Sequence, residues 1–378
     1  MKKIFFLALI AISLILPIKN YAQEGQTYLD VKIGKSYGEN EVVSIVSTKN
    51  IYLVDADYNK VLDLNTSSVD VTLKEGKIEL KGQSQTHSTD FPQDGSMLLA
   101  TDGYLKLKNE YRGYISFRVV ENKLLVINSL ELEDYLKGVV PRELSPSYPI
   151  EALKAQAICS RSFALKNINK YEKYGYNLDD TTNCQAYEGK TIENEKTNQA
   201  VDETKGIYAL YNGKIANTIY GASSGGVTAN ADDVWSGDAV EYLKTLEDPY
   251  SNNYTWEHKL SVEEVNKAIK SASHEIGDFL NFNIKEIDSS GRIKTIELIG
   301  TENTVAVTGN NFRNIFGNMK LKSTLFNITI EDDQVIFKGK GFGHGVGMSQ
   351  LGAVEMAKTG KTANDIISFY FPGVILNK

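Results

Sequence analysis

Cysteine is scarce in this chain of 378 residues: Cys159 and Cys184 are the only two. In an exported protein two thiols permit one disulfide at most, and no disulfide framework can carry the fold. Cys159 falls in an alanine-rich helical stretch, where it reads equally well as a small buried apolar residue. Long apolar runs are also missing, with one exception at the start. There Lys2 and Lys3 precede an uncharged run from Ile4 to Ile18, followed by Lys19-Asn20-Tyr21-Ala22. A basic start and a run this short read as a secretory signal over residues 1–22, with an uncleaved membrane anchor as the alternative, because only Ala22 suits a cleavage site. Positive charge is in deficit. The net charge of −7 becomes −10 once the leading segment, with three lysines and no acids, is set aside, which argues against nucleic acid as a partner. Internal repeats and low-complexity linkers are absent. The glycine-rich run Gly339 to Gly347 fits neither G-x-G-x-x-G nor a G-K-[S/T] ending, so a phosphate-binding loop is disfavoured.

What is present begins with β structure. From residue 23 to about 127, short β-branched runs (Val42 to Val46, Ile51 to Val54, Val69 to Leu73) alternate with Asn, Asp and Gly turn signals. Ser84 to Asp94 reads as a loop, with His87 as polar surface. Strands return between Tyr104 and Asn128. The 21 tyrosines suit sheet packing first and a sugar-contacting surface second.

Glu131 to Leu165 is the stretch around which the chain is organised. It holds three of the seven prolines, Pro141, Pro146 and Pro149. Glu143 lies between two of them in P-R-E-L-S-P, which predicts a carboxyl on a stiffened loop. A helix is expected after it, with Pro149 near its first turn and Glu151 at its positive end. On that helix Ile150, Leu153, Ala157, Ala164 and Leu165 share an arc of roughly 120°, and Arg161 falls inside it. A buried guanidinium needs a polar or acidic partner. The residues alone leave two readings open: a turn acid with a structural arginine, or a catalytic acid with its orienting group.

Further along, Ile192 to Asp202 is expected to be helical. Asn212-Gly213 between Ile207–Tyr211 and Lys214–Tyr220 predicts a hairpin with a type I′ turn. Ser223-Ser224-Gly225-Gly226 reads equally as a flexible glycine turn or as hydroxyls and bare backbone N–H groups at a sheet rim, which suit sugar hydroxyls or a carboxylate. Helices are expected over Ser261 to Ala272, Thr308 to Phe316 and Met348 to Lys358, a strand over Ile293 to Ile299, and another helix from Thr362, capped by Asp365. His258 and His274 have no companions and read as surface residues. His344 is the one imidazole inside the C-terminal glycine run.

Four runs in one order carry a resemblance. These are L-E-D-Y-L-K-G-V-V-P-R-E-L…P-I-E-A-L-K-A-Q-A…R-S-F-A-L, then D-D-T-T-N-C-Q-A-Y-E-G, S-G-G-V-T, and G-F-G-H-G-V-G-M-S-Q-L-G-A. Together they resemble the stage II sporulation protein D family (SpoIID/LytB), exported proteins that act on bacterial peptidoglycan. The resemblance implies an extracytoplasmic lytic transglycosylase of glycan strands, preferring denuded glycan, with Glu143 as general acid and a 1,6-anhydro-MurNAc product. Arg161, Tyr220, Ser223, Ser224, His344, Gln185 and Tyr187 would then bind substrate. Some relatives hold zinc with Cys and His near Cys184. Here Asn183 replaces the histidine, so neither a metal nor another cofactor is expected. Gly221 stands where the family often has an imidazole or hydroxyl. Relatives named as modifiers of a cell-wall amidase supply the alternative, a non-catalytic enhancer partnered with an amidase. A serine hydrolase using Ser223 or Ser224 with His344 is the second alternative, though no G-x-S-x-G elbow is present. The expected fold is α+β: a β-rich region at 23–127, then a mixed catalytic region at 128–378 with a central Ala-rich helix and a Gly-rich loop followed by helices.

Overall fold

The computed structural model describes residues 27–82, 90–235 and 237–377. The leading segment read as a secretory signal and His87 lie outside them. The fold is α+β. The chain forms two compact units: one takes in the chain up to Gly138 and returns for Asn167–Thr191, and the other comprises Val139–Lys166 and Ile192–Lys378. No helix among the described residues is long and apolar enough to cross a membrane.

The first unit is built on one large sheet. The runs at Val42 and Ile51 belong to a single strand, Val42–Asp55, which pairs antiparallel with Lys60–Lys74. Alternate residues of these strands, among them Val43, Ile45, Val69, Val71 and Leu73, are buried, the period-two pattern of a half-covered sheet. Tyr28–Tyr37 pairs antiparallel with Lys123–Glu131 on one side. On its other side it pairs parallel with Leu178–Asp179, which arrives from far down the chain. Asn128 therefore lies inside a strand rather than at a seam.

Helix α1 (Leu132–Glu143) follows the strand Lys123–Glu131 without a linker. The structure corrects the loop expected around Glu143, because the helix runs through Pro141 and ends on Glu143. Proline removes one intrahelical donor, yet Leu144 N–H still bonds the Val140 carbonyl at 2.9 Å, so the turn closes.

In the second unit α2 (Ile150–Lys166) starts where expected, with Ala152 and Leu153 N–H bonding the Pro149 carbonyl. The expected apolar arc understates its burial. Gln156, Ser160, Arg161 and Ser162 are buried along with the alanines, so this is a core helix covered on all sides. Its neighbours are α3 (Glu195–Glu203), later helices and a short three-stranded sheet. In that sheet the hairpin Ala209–Tyr211/Lys214–Ile215 closes through Asn212 and Gly213 at φ 50° and 74°, as a type I′ turn requires. The second strand stops at Ile215, short of the predicted Tyr220. Tyr220–Gly221 instead pairs parallel with Met348–Ser349. A short α4 (Ala231–Val234) follows.

Between these elements lies a portion with its own aromatic core of Trp256, Phe282, Phe312, Phe316, Phe326 and Phe337. It carries two three-stranded antiparallel sheets. It also carries α5 (Val262–Ser271), started by a Ser261–Glu264 capping box, and α6 (Gly309–Phe316), capped by Thr308. His258 departs from the surface expectation: it is half-buried, its Nε2 is sealed from solvent without a partner, and burial pulls its pKa down. The chain then returns to the main core through α7 (Gln350–Lys358) and α8 (Ala363–Tyr370), the latter started by the Thr362–Asp365 capping box.

Candidate active site

Glu143 stands half-buried at the C-terminal end of α1. Its carbonyl accepts from Gln350 Nε2 at 3.1 Å, and the same nitrogen lies 3.2 Å from Gln156 Oε1. Gln156 Nε2 donates to Ser160 Oγ at 3.0 Å, and Ser160 Oγ lies 3.4 Å from the Tyr220 hydroxyl. A chain of buried polar side chains thus runs from the end of α1 through α2 to the strand that carries Tyr220. Buried amides persist only where they are hydrogen-bonded, so the chain fixes its members in one arrangement.

Beside Tyr220 lies the serine–glycine turn. Ser223 Oγ is 2.9 Å from Ser251 Oγ, which also receives Ser349 Oγ–H at 2.8 Å. Ser224 Oγ donates to Asp248 Oδ2 at 2.7 Å, and the Tyr370 hydroxyl donates to the same oxygen at 3.0 Å. Both serines are buried. Asp248 is fully buried; burial raises its pKa, and its hydrogen bonds with Ser224 and Tyr370 oppose the rise. Arg292 clamps the turn from outside. It donates to the Ser224 carbonyl at 2.5 Å and the Val227 carbonyl at 3.0 Å, and burial brings its pKa down to about 10. A Cβ at Gly345 would lie 2.3 Å from Arg292 Nη2, so only glycine admits that guanidinium.

His344 holds a neutral ring. Its Nδ1 accepts from Val346 N–H at 3.0 Å, the Tyr220 carbonyl accepts from the ring, and burial with nearby Arg292 pushes its pKa down to about 4. The bare face of Gly221 meets the ring, with a hypothetical Cβ 3.5 Å from Cε1 and Nε2. Trp235, 42% exposed, stands beside it with ring centroids 4.9 Å apart.

The remaining expected residues have other surroundings. Arg161 is fully buried and donates to the carbonyls of Ile207 at 2.9 Å and Val201 at 3.3 Å, with Thr204 Oγ1 at 3.4 Å. Backbone carbonyls and a hydroxyl thus meet the need for a polar partner. Gln185 and Tyr187 belong to the first unit and are buried there. Tyr135 hydroxyl lies 3.3 Å from Gln185 Oε1, and the Tyr187 hydroxyl donates to Asn128 Oδ1 at 2.7 Å. Both cysteines are free thiols; Cys159 Sγ packs 3.7 Å from Met348 Sδ. Among the described residues no three His, Cys, Asp or Glu side chains gather as a metal site. The sequence reading missed Gln156, Ser160, Gln350, Asp248, Arg292 and Trp235. Of these, only the glutamines stood inside quoted motifs.

The end of α1, the polar face of α2, the serine–glycine turn and the His344 loop are the parts that the family motifs mark. Residues 120–211 match the stage II sporulation protein family (SpoIID). The chain belongs to the stage II sporulation protein D family. Stage II sporulation protein D of Bacillus subtilis is 31% identical over 270 residues, covering 67% of this chain and 76% of that protein. An uncharacterized protein of Brachyspira hyodysenteriae is 36% identical over 285 residues, 75% of this chain and 76% of that one. The amidase enhancer of Bacillus subtilis is 29% identical over 289 residues, 64% of this chain but 40% of the longer relative. Residues 246–347 match a domain of unknown function (DUF8618).

Proposed function

We propose that the protein is an extracytoplasmic lytic transglycosylase that cleaves the glycan strands of peptidoglycan, with Glu143 as its acid. The observation that carries the proposal is the fixed end of α1: the Glu143 backbone is tied by Gln350 into the buried Gln156–Ser160–Tyr220 chain. Glu143 protonates the glycosidic oxygen as its bond to MurNAc C1 breaks. The C6 hydroxyl of the same sugar then attacks C1 and returns its proton to the carboxylate. The products are a 1,6-anhydro end and a new 4-hydroxyl end, no water is consumed, and one carboxyl serves as acid and then base.

In this reading Trp235 offers an exposed ring face to a sugar, and Tyr220 lies at the end of the polar chain. Ser223 and Ser224 contribute through the geometry of their turn, because their hydroxyls already have partners. His344 acts as a neutral pillar. Arg161 positions α2 against residues 201–207, and Gln185 with Tyr187 holds the first unit's return segment. The serine-hydrolase alternative finds no support, since both nitrogens of His344 are engaged by backbone and Ser224 meets Asp248 directly.

The test is mass spectrometry of glycan strands, denuded and peptide-bearing, after incubation with the protein or with Glu143→Gln. Anhydro-MurNAc ends made by the wild type and not by the variant support the proposal. A folded wild type that makes no such ends, yet accelerates a cell-wall amidase, supports the enhancer reading suggested by the relative of that name.

A further inference from the structure

The helical turn that leads into Trp235 is too short to hold itself. α4 spans Ala231–Val234 and closes with Trp235 N–H bonding the Ala231 carbonyl at 2.9 Å. An isolated turn fixes about six dihedrals for its first hydrogen bond, so its place depends on what it leans on. The main core supplies backbone ties: Ala231 N–H bonds the Leu243 carbonyl at 3.1 Å, and Thr245 N–H bonds Asn230 Oδ1 at 2.7 Å. The 246–347 segment supplies side chains. Lys294 Nζ lies 3.3 Å from Asp233 Oδ1, and Ser289 Oγ receives a bond from Asn230 Nδ2 at 3.0 Å. Asn310 Nδ2 donates to the Val234 carbonyl at 3.4 Å. That carbonyl belongs to the peptide group leading into Trp235.

Ser289 and Lys294 stand on one hairpin, and Asn310 stands on α6, which packs against it. The hairpin turn is locked by Asp288, whose Oδ1 accepts from the Ser290 and Arg292 N–H groups at 2.8 and 2.9 Å. From the end of the same turn Arg292 reaches the Ser224 and Val227 carbonyls. One hairpin therefore touches both the serine–glycine turn and α4. On its other side the Trp235 ring meets His344, which is itself fixed by backbone bonds. The ties to α4 matter little for folding. The Lys294 side chain is 39% exposed, and exposed ion pairs contribute little to stability. What they fix is the direction of a half-open ring.

We infer that the 246–347 segment positions Trp235 for a sugar ring, with Lys294 and Asn310 as its positioning residues. The inference rests on the glycan-strand reading above, and it gives that segment a part in substrate binding. A ring already held in place needs no ordering when glycan arrives, an advantage of about two- to tenfold in affinity.

The test uses protein labelled with 5-fluorotryptophan. Trp235 and Trp256 are the two tryptophans, and Trp235→Phe assigns their fluorine resonances. Wild type is compared with Lys294→Ala/Asn310→Ala, with Lys294→Arg, and with Lys285→Ala, which breaks an ion pair to Glu297 on the same hairpin. In the double variant the Trp235 line should shift or broaden while the Trp256 line stays. Binding of denuded glycan oligomers should weaken about three- to tenfold, and in the strand assay KM should rise while kcat holds. Lys294→Arg and Lys285→Ala should match the wild type. An unmoved Trp235 line in the double variant overturns the inference, as does unchanged glycan affinity. Movement of both lines with a lowered melting temperature also overturns it, because the residues are then merely structural. Wild-type protein that binds no glycan oligomer overturns the glycan reading instead; the spectra are taken without ligand and still decide whether the segment holds Trp235.

Discussion

Tyr370 and Asp248 meet inside the core of the second unit, phenol to carboxylate at 3.0 Å, and Ser224 donates to the same oxygen. Their approach depends on a third position: a Cβ at Gly352, in α7, would lie 1.9 Å from the Tyr370 hydroxyl. The serine–glycine turn is thereby tied to the two C-terminal helices through one buried carboxylate.

Gly352→Ala should therefore destabilise the protein by about 2 kcal/mol or more through overpacking. Tyr370→Phe alone should cost about 1 kcal/mol for the lost hydrogen bond. In the double variant the added methyl has room, so the two effects should fall short of additivity in urea unfolding. Strict additivity would sink the shared-contact account.

Glu143→Gln should lower formation of anhydro ends by roughly 10²–10⁴-fold, the range for a lost general acid. The melting temperature should barely move, because the side chain is half-exposed and its backbone tie to Gln350 survives. A large loss of stability alongside the loss of activity would mean that Glu143 is structural.

Gln350→Ala removes the bond to the Glu143 carbonyl and the contact with Gln156. A stability loss of about 1–3 kcal/mol is expected from the buried partners left behind. If Gln350 is a positioning residue, kcat should fall while KM stays near its wild-type value, and Gln350→Glu should not restore it. An unchanged kcat in folded Gln350→Ala would remove the polar chain from the mechanism.

At the candidate site two groups contribute to the pH dependence of stability in opposite directions. His344 has a folded pKa of about 4 against an ordinary 6.5. Its contribution is present above pH 6.5 and is lost as the pH falls toward 4. Asp248 runs the other way: its raised pKa gives stability below the ordinary carboxylate range that disappears as the pH rises through its folded value. Between pH 6.5 and 4 the melting temperature should fall, and His344→Asn should flatten that slope. A slope left intact in the variant would assign it to other groups.

Trp235→Ala should leave the fold unchanged and weaken glycan binding by about 1 kcal/mol, roughly fivefold, if the exposed ring carries a sugar. Equal affinity for glycan oligomers in both proteins would leave Trp235 without that role.

Sequence patterns with a local cause could be read directly. Asn212-Gly213 made its turn, the Thr362–Asp365 box started α8, and Pro149 opened α2, because each signal acts within four residues. The helical end at Glu143 was hidden by Pro141, whose local bias against helix is overcome by packing in the buried last turn. Tyr220 was assigned to the hairpin because its true partner, Met348, lies over a hundred residues away. Asp248 gave no sign at all. A lone aspartate before a proline looks like a turn, and only the arrival of Tyr370 and Ser224 makes it a buried hub. The quoted motifs picked out the candidate site, whereas the hydrogen bonds that decide which hydroxyls remain available come from distant parts of the chain.

The core helix α2 is completed late. Its Ala155, Ile158 and Cys159 pack in one cluster with Met348, Ala353, Ile366, Ile367 and Phe371, which lie 189 or more residues later. The first unit waits as well, since its strand Tyr28–Tyr37, already paired with Lys123–Glu131, gains its second neighbour only when Leu178 arrives. During synthesis neither unit can close in the order in which it is made. A premature stop before Met348 would leave the core helix α2 without these partners, the state that quality-control proteases recognise, so shortened products should be degraded rather than accumulate as partly active fragments.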